Sequence, residues 1–417
     1  MGTTAQNIMM SSLAGIVNRN TAGEVLLSPQ VDRLPAPFFW LRQLKEEAPS
    51  VRYQFKNDPE FFLDHYRQHL KGYVFYDREE RPHSINIATS IAGVTDALMV
   101  DRSTRHYARR AGLSLIADAT TTDYPKAYST YQGKFDRTRL FYQRPRFNEM
   151  LRDFCIMNRG FMFYADPTEL LPYAKEQEAH GKIYGWGPSE HAFFRDASIL
   201  GQGIVPSDWS WSSSTTAQWR VPLVKQSFHP SFEVPTQVGR HYVAFVMSDG
   251  DNVQVLTRGW AADRRWFGSP HRGNFTMNWD LTGSLAEVNP VAFNYYYRKA
   301  KTGPQFDSFV SAGGGSMIFP SRYPDKRRLA AMIEADMQLA DHRTVSILDD
   351  SYDLPSLKPI LESESVLGMM FKTYDRFYKG RNGSLDWHQG KPILSVKYSL
   401  WDGADHARSI AQALNQS

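Results

Sequence analysis

The sequence predicts an α/β protein: an N-terminal, Rossmann-like α/β domain over residues 1–130, then a (β/α)8-like barrel over residues 131–417. Two observations carry this. Short apolar runs alternate with helical stretches through the first third, the pattern of a mostly parallel sheet. After residue 146, eight strand candidates occur in succession, which suits a barrel with insertions.

The strand candidates of the first domain are Glu24–Leu27, Gly72–Tyr76, Asp96–Val100 and Leu113–Ala117. Pro59–Leu70 and Thr104–Ala111 read as helices between them. Asp77, Asp101 and Asp118 close three of the strands and are expected to cap the turns or helices after them. Residues Thr120–Arg146 read as a polar, Tyr- and Arg-rich connection. In the second domain the candidates are Gly160–Tyr164, Lys182–Trp186, Tyr242–Ser248, Phe275–Trp279, Ser308–Ser311, Val345–Leu348, Gly368–Lys372 and Ile393–Lys397, with helices at Pro167–His180 and Asp325–Ala340. The stretch Gly187–Gly239 shows little periodicity and reads as a long loop over the barrel mouth.

Composition bounds the function classes. The chain has 417 residues, 42% of them hydrophobic, 22% charged and 13% aromatic, enough for two or three domains and an aromatic-rich core or pocket. A net charge of +4 from 48 basic and 44 acidic residues, with no dense basic run, argues against nucleic acid. One cysteine, Cys155, excludes an intrachain disulfide and a multi-cysteine zinc site. No apolar stretch approaches the roughly 18 residues that cross a bilayer. The first residues lack a basic start and apolar core, so a cytoplasmic protein that binds no membrane is expected.

The most informative segment is Met247-Ser248-Asp249-Gly250-Asp251-Asn252, after the apolar run Tyr242–Val246. A buried strand would end there in two carboxylates and an amide, with a glycine to turn the backbone. Asp249 and Asp251 are the first candidates for general acid/base or nucleophilic work, with Glu190, Asp280, Asp349 and Asp350 as alternative second carboxylates among which the sequence does not choose. Other strand ends add Trp186, Trp279, Asp349, Lys372 and Trp401. The loop adds Asp208 and Trp209. Carboxylates interleaved with tryptophans suit a saccharide, whose apolar faces lie on rings and whose hydroxyls need acceptors. Asp249, Asp251 and Asn252 would also suit Mg²⁺ or Ca²⁺, but the rest of a calcium loop is missing, and neither a metal nor another cofactor is expected. No Gly-x-Ser-x-Gly elbow and no phosphate-cradling glycine loop is present.

The run Ser248–Asn252, then Asn278-Trp279-Asp280, then a glycine-rich loop leading to Pro320, resembles the GxGYxYP family of putative glycoside hydrolases. Ser12–Arg19, Tyr184–Glu190 and Gly390–Trp401 are similar to other segments of that family. The resemblance spans nearly the whole chain. Its naming motif is altered here to Gly314-Gly315-Ser316-Met317-Ile318-Phe319-Pro320, so two phenolic hydroxyls are replaced. Arg322 and Tyr323 come next as candidate substrate contacts. The altered motif predicts a smaller or more hydrophobic ligand than an oligosaccharide. The resemblance implies a glycoside hydrolase acting on a saccharide or small molecule. The alternatives are a lyase, cyclase or transferase on a small molecule, and a carbohydrate-binding protein without catalysis.

Overall fold

The computed structural model describes residues 2–27, 37–166, 169, 171–178, 181–227, 239, 242–375, 377–400 and 404–416. The chain forms two compact units. The first comprises Met1–Leu223, Asn252–Gly268 and Leu285–Tyr295; the second comprises Val224–Asp251, Ser269–Ser284 and Tyr296–Ser417.

The first unit holds two parallel sheets. Strands β1 (Gly72–Phe75), β2 (Ala97–Val100) and β3 (Leu115–Asp118) pair in the order β2-β1-β3. Strands β4 (Arg139–Tyr142), β5 (Phe161–Phe163), β6 (Lys182–Gly185) and β7 (Gly203–Val205) pair in the order β5-β4-β6-β7. Helix Ser84–Thr95 packs on strands of both sheets. Its buried residues mix Ile85, Ile87 and Ile91 with the polar Ser84, Asn86, Thr89 and Ser90, and buried polar groups are bonded to a neighbouring strand or strand end: Asn86 Nδ2 donates to the Gln143 carbonyl at 2.8 Å, and Ser90 Oγ accepts from Met162 N at 2.8 Å.

The N-terminal helix Thr4–Asn18 starts with a capping box between Thr3 and Gln6. Gly15 lets it press against helix Arg152–Met157, since a Cβ there would lie 2.5 Å from the Asp153 carbonyl. At its end Asn18 is fully buried. Its amide donates to the Val25 carbonyl, Ser214 Oγ and Thr215 Oγ1, and its oxygen accepts from Val25 N.

The second unit is built on one sheet. Strands β8 (Val246–Met247), β9 (Met277–Leu281), β10 (Asp307–Ala312), β11 (Thr344–Asp349), β12 (Gly368–Thr373), β13 (Leu385–His388) and β14 (Lys391–Ser395) pair in the order β13-β14-β12-β11-β10-β9-β8. Within this sheet only the β13–β14 hairpin is antiparallel. Residues alternate between two faces. One face presents Val345, Ile347, Met369 and Phe371 to a core with Leu329, Ile333 and Met337 of helix Lys326–Ala340 and with Leu357 and Ile360 of helix Leu354–Glu362. By the strand register, the other face carries Asn278, Asp280, Ser308, Ser346 and Lys372.

Several sequence expectations are corrected. The described strands do not close into a (β/α)8 barrel: β4 to β7 form a sheet of their own, and the seven-stranded sheet is open, with β8 at one edge and the β13 hairpin strand at the other. Alternation of strands and helices fixes parallel pairing but not closure, which depends on register between the first and last strands. Gly187–Gly239 is not one long loop, since it contains helix Glu190–Ile199 and β7. Thr120–Arg146 contains helix Tyr124–Tyr131 and β4. Glu24–Leu27 has no regular structure. The run before Asp249 is not buried: Tyr242, Val243 and Phe245 are exposed, and only Val246–Met247 pairs with β9.

Candidate functional site

The carboxyl ends of β8, β9, β11 and β12 bring polar side chains together in the second unit. The Asp249–Asp251 segment is seated by its glycine. A Cβ on Gly250 would lie 1.4 Å from the Asp280 carbonyl oxygen, so only glycine lets this loop rest on the end of β9. The Gly250 carbonyl accepts from Thr282 N at 2.7 Å. Asp249 itself adopts a left-handed backbone, φ 69°. That conformation is uncommon for a residue with a side chain, and held strain of this kind concentrates at functional positions.

Below this segment lies a buried ion pair. Lys372 Nζ donates to Asp280 Oδ2 at 2.8 Å, with the two side chains only 8% and 0% exposed. Ser346 Oγ donates to the same oxygen at 3.2 Å. Among the described residues, Asp280 Oδ1 has no hydrogen-bond partner. Burial works against the Lys372 charge, but Asp280, Asp251 and Asp249 together outweigh it, so its pKa lies above the ordinary lysine value. The group is a fixed ammonium facing three carboxylates. Asp249 is the solvent-exposed member. The protein around its carboxyl raises its pKa, Lys372 lowers it, Asp280 raises it, and the net direction is upward.

The altered naming motif leads into a braced turn. Gly313, Gly314 and Gly315 all have positive φ, and Cβ atoms on Gly314 and Gly315 would strike Ile333 and Asp336 of helix Lys326–Ala340. The glycines serve close helix packing. Asp349 accepts from Ser321 N at 2.7 Å and Ser321 Oγ at 2.6 Å, and burial pushes its carboxyl up to about 6. Lys326 Nζ donates to the carbonyls of Pro320, Ser321 and Tyr323. Phe319 is buried and packs edge-on against Tyr374, so its ring fills interior space.

The structure thus brings Asp249, Asp251, Asp280 and Lys372 together. The other candidates have different surroundings. Trp279 lies on the opposite face of β9, buried, donating from Nε1 to Asp307 Oδ1 at 2.9 Å. Tyr323 belongs to the apolar core. Arg322 pairs with Asp350 at 3.1 Å. Trp186, Glu190, Asp208, Trp209 and Asn252 belong to the first unit. There Trp186 packs on Phe194, and Glu190 opens helix Glu190–Ile199. Asp208 is buried, with its pKa pushed up to about 6. Trp209 N donates to Gln254 Oε1 at 2.6 Å, and Asn252 precedes helix Val253–Val255. Trp401 lies outside the described residues. Among the described residues no group of three His, Cys, Asp or Glu is arranged to hold a metal ion.

Ser346 was not legible as a site residue. Its only sequence signal is a polar residue inside an apolar strand, Val345-Ser346-Ile347-Leu348. The partners of Asp280 emerge only once register places Ala312 beside Ser346 and Leu348 beside Lys372.

Three family models match the chain. "GxGYxYP_N second domain" matches residues 70–135, "GxGYxYP third domain" matches 137–218, and "GxGYxYP putative glycoside hydrolase C-terminal domain" matches 239–417. A solved structure described as a "putative hydrolase from Bacteroides thetaiotaomicron" superposes with a TM-score of 0.83 at 24% identity, covering 99% of this chain and 82% of that one. At that identity the likeness is one of fold. No curated protein matches the chain.

Proposed function

Because the chain belongs to the GxGYxYP family, matched by models of three of its domains between residues 70 and 417, we propose that it hydrolyses glycosidic bonds, with Asp249 and Asp251 in the acid and base or nucleophile roles. The observation that carries this reading is the seat of Asp249: exposed to solvent, held in a left-handed conformation, and raised in pKa beside a buried lysine–carboxylate pair. An acid that protonates a leaving oxygen must hold its proton near working pH. Its partner must be ionised to attack the anomeric carbon or to activate water. The Lys372 ammonium, which interacts with Asp251, favours a charged neighbour. Asp280 holds that ammonium in place.

The same electrostatics weigh against a lyase that uses Lys372 as an amine nucleophile. Such chemistry needs a neutral amine, and three carboxylates favour the charged form. The test is turnover of a panel of aryl glycosides by the wild type and by Asp249→Asn and Asp251→Asn. Either substitution should reduce kcat by about 10²-fold or more. Wild-type turnover that both variants retain would move the chemistry elsewhere. Saccharide binding without turnover of any glycoside would favour the non-catalytic reading.

A further inference from the structure

The four-stranded sheet of the first unit has a switch point in its strand order. From β4 the chain goes to β5 on one side, then crosses to β6 on the other, so the connections at β4 and β6 leave in opposite directions. In open parallel sheets the crevice outside the carboxyl ends of two such strands is where ligands bind. Arg144 stands two places after β4 and Gly187 two places after β6. Gln143 Nε2 donates to the Asp208 carbonyl at 2.9 Å, which ties the segment after β7 to the end of β4. Gln254 Oε1 accepts from Trp209 N at 2.6 Å, so the helical segment from Val253 to Trp260 braces the same place. All of these residues belong to the first unit.

Two guanidinium groups border Asp208 and Trp209, and both are partly open to solvent. Among the described residues, Arg144 makes one side-chain hydrogen bond, a long one of 3.5 Å to the Gly187 carbonyl, and its Nε has no acceptor. Asp208 senses the Arg144 charge without forming an ion pair with it, and its carboxyl is bonded to the Gln254 side chain instead. Arg258 lies in the π-helical turn Leu256–Trp260, a kind of turn frequent at functional sites. Burial is all that acts on its guanidinium, with no acid and no hydrogen bond to offset it, and its pKa is lowered. It lies 5.9 Å from the centre of the Trp209 ring, and that indole is 43% exposed. A guanidinium that has lost water without gaining an acceptor favours an incoming anion, and its planar fork of donors matches a carboxylate or a sulfate. An occupant here needs oxyanion oxygens for the arginines and an apolar ring face for the indole. A pyranose ring that carries a carboxylate or a sulfate ester has both.

We propose that the carboxyl end of this sheet binds an acidic sugar ring, with Arg144 as the anchor of its oxyanion group, Arg258 adding charge and Trp209 lying against the ring. The proposal does not rest on the hydrolase reading, and it is tested by binding alone. The probes are glucuronate and galacturonate for the carboxylate, glucose 6-sulfate for the ester, glucose and galactose as neutral rings, and inorganic sulfate as the bare anion. They are titrated by calorimetry into the full chain carrying Asp249→Asn. At least one acidic sugar should bind, and more tightly than its neutral counterpart or inorganic sulfate. In that background Arg144→Gln and Arg258→Gln should each weaken its affinity about tenfold or more, and Trp209→Ala at least about threefold. Arg146, exposed and 5.4 Å from the Phe147 ring, is the charge-matched control, and Arg146→Gln should leave the affinity unaltered. No binding by any acidic sugar overturns the proposal. So does inorganic sulfate or a neutral sugar that binds as tightly, or an effect of Arg146→Gln equal to that of Arg144→Gln. If Arg144→Gln fails to fold, Arg258→Gln and Trp209→Ala decide. Absence of glycosidase activity in the wild type, with acidic-sugar binding intact, would sink the hydrolase reading alone.

Discussion

Removing the Lys372 ammonium tests the electrostatic account of the candidate site directly. In Lys372→Met the methylene stem is largely replaced and the charge is lost. Asp280 is then left fully buried, with Ser346 Oγ at 3.2 Å as its remaining side-chain donor. Breaking a buried pair from one side costs about 3–5 kcal/mol. No discount for solvent applies, because neither side chain is more than 8% exposed. For a unit of this size each kcal/mol lowers Tm by about 2–4 °C, so a fall of roughly 6–20 °C is expected at neutral pH. The double variant Lys372→Met, Asp280→Asn leaves no stranded charge and should recover at least half of that loss. Calorimetry of wild type, both single variants and the double variant provides the cycle. The pH dependence has a definite sign. The folded pKa of Lys372 is raised above 10.5, so its contribution is complete below that value and is lost as pH rises through the folded pKa. Wild type should therefore lose its advantage over Lys372→Met in strong alkali. A single variant within 2 °C of wild type, or a double variant as unstable as the single, would refute the reasoning.

Three further outcomes are expected from particular contacts. Gly250→Ala places a Cβ 1.4 Å from the Asp280 carbonyl oxygen, a backbone atom that has no room to yield; the loop must move, at a cost of about 1–3 kcal/mol, and turnover should fall with it while the rest of the sheet keeps its amide protection. Normal activity in this variant would show that the seat of Asp249 is unimportant. Asp349 is raised from 3.8 to about 6, so its contribution to stability is lost as pH rises through that window, and wild type should fall relative to Asp349→Asn between about pH 4 and 6; parallel curves would contradict its burial. Asn18→Leu orphans the buried Val25 N–H and removes three donor contacts, and urea unfolding should show a loss of roughly 2–3 kcal/mol.

Much of the site was present in the sequence as local chemistry. Ser248–Asn252 stands out because it sets two carboxylates around a glycine at a strand end, although an Asp-Gly pair there equally serves as an ordinary turn. Asp280 and Lys372 are strand-end residues that periodicity alone can place. What they do for each other depends on register. Lys372 is 92 positions from Asp280, and no local pattern shows that they meet on one face while Trp279, next in line, turns to the other. The same limit explains the fold. Parallel pairing is implied by alternating short strands and helices, and the strands named from sequence mostly exist. Their division into three sheets, and the open edges at β8 and β13, are set by non-local hydrogen bonds between strands. An apolar run such as Tyr242–Val246 reads as a buried strand wherever it falls, yet here Tyr242, Val243 and Phe245 are exposed and outside any strand, and only Val246–Met247 joins the sheet, at its edge. The sequence by itself determined which side chains were available for acid–base work and that they would lie at strand ends, because hydrophobic periodicity and turn chemistry act over a few residues. Only the tertiary structure decided which of them share a face, because that depends on contacts between segments far apart in the chain.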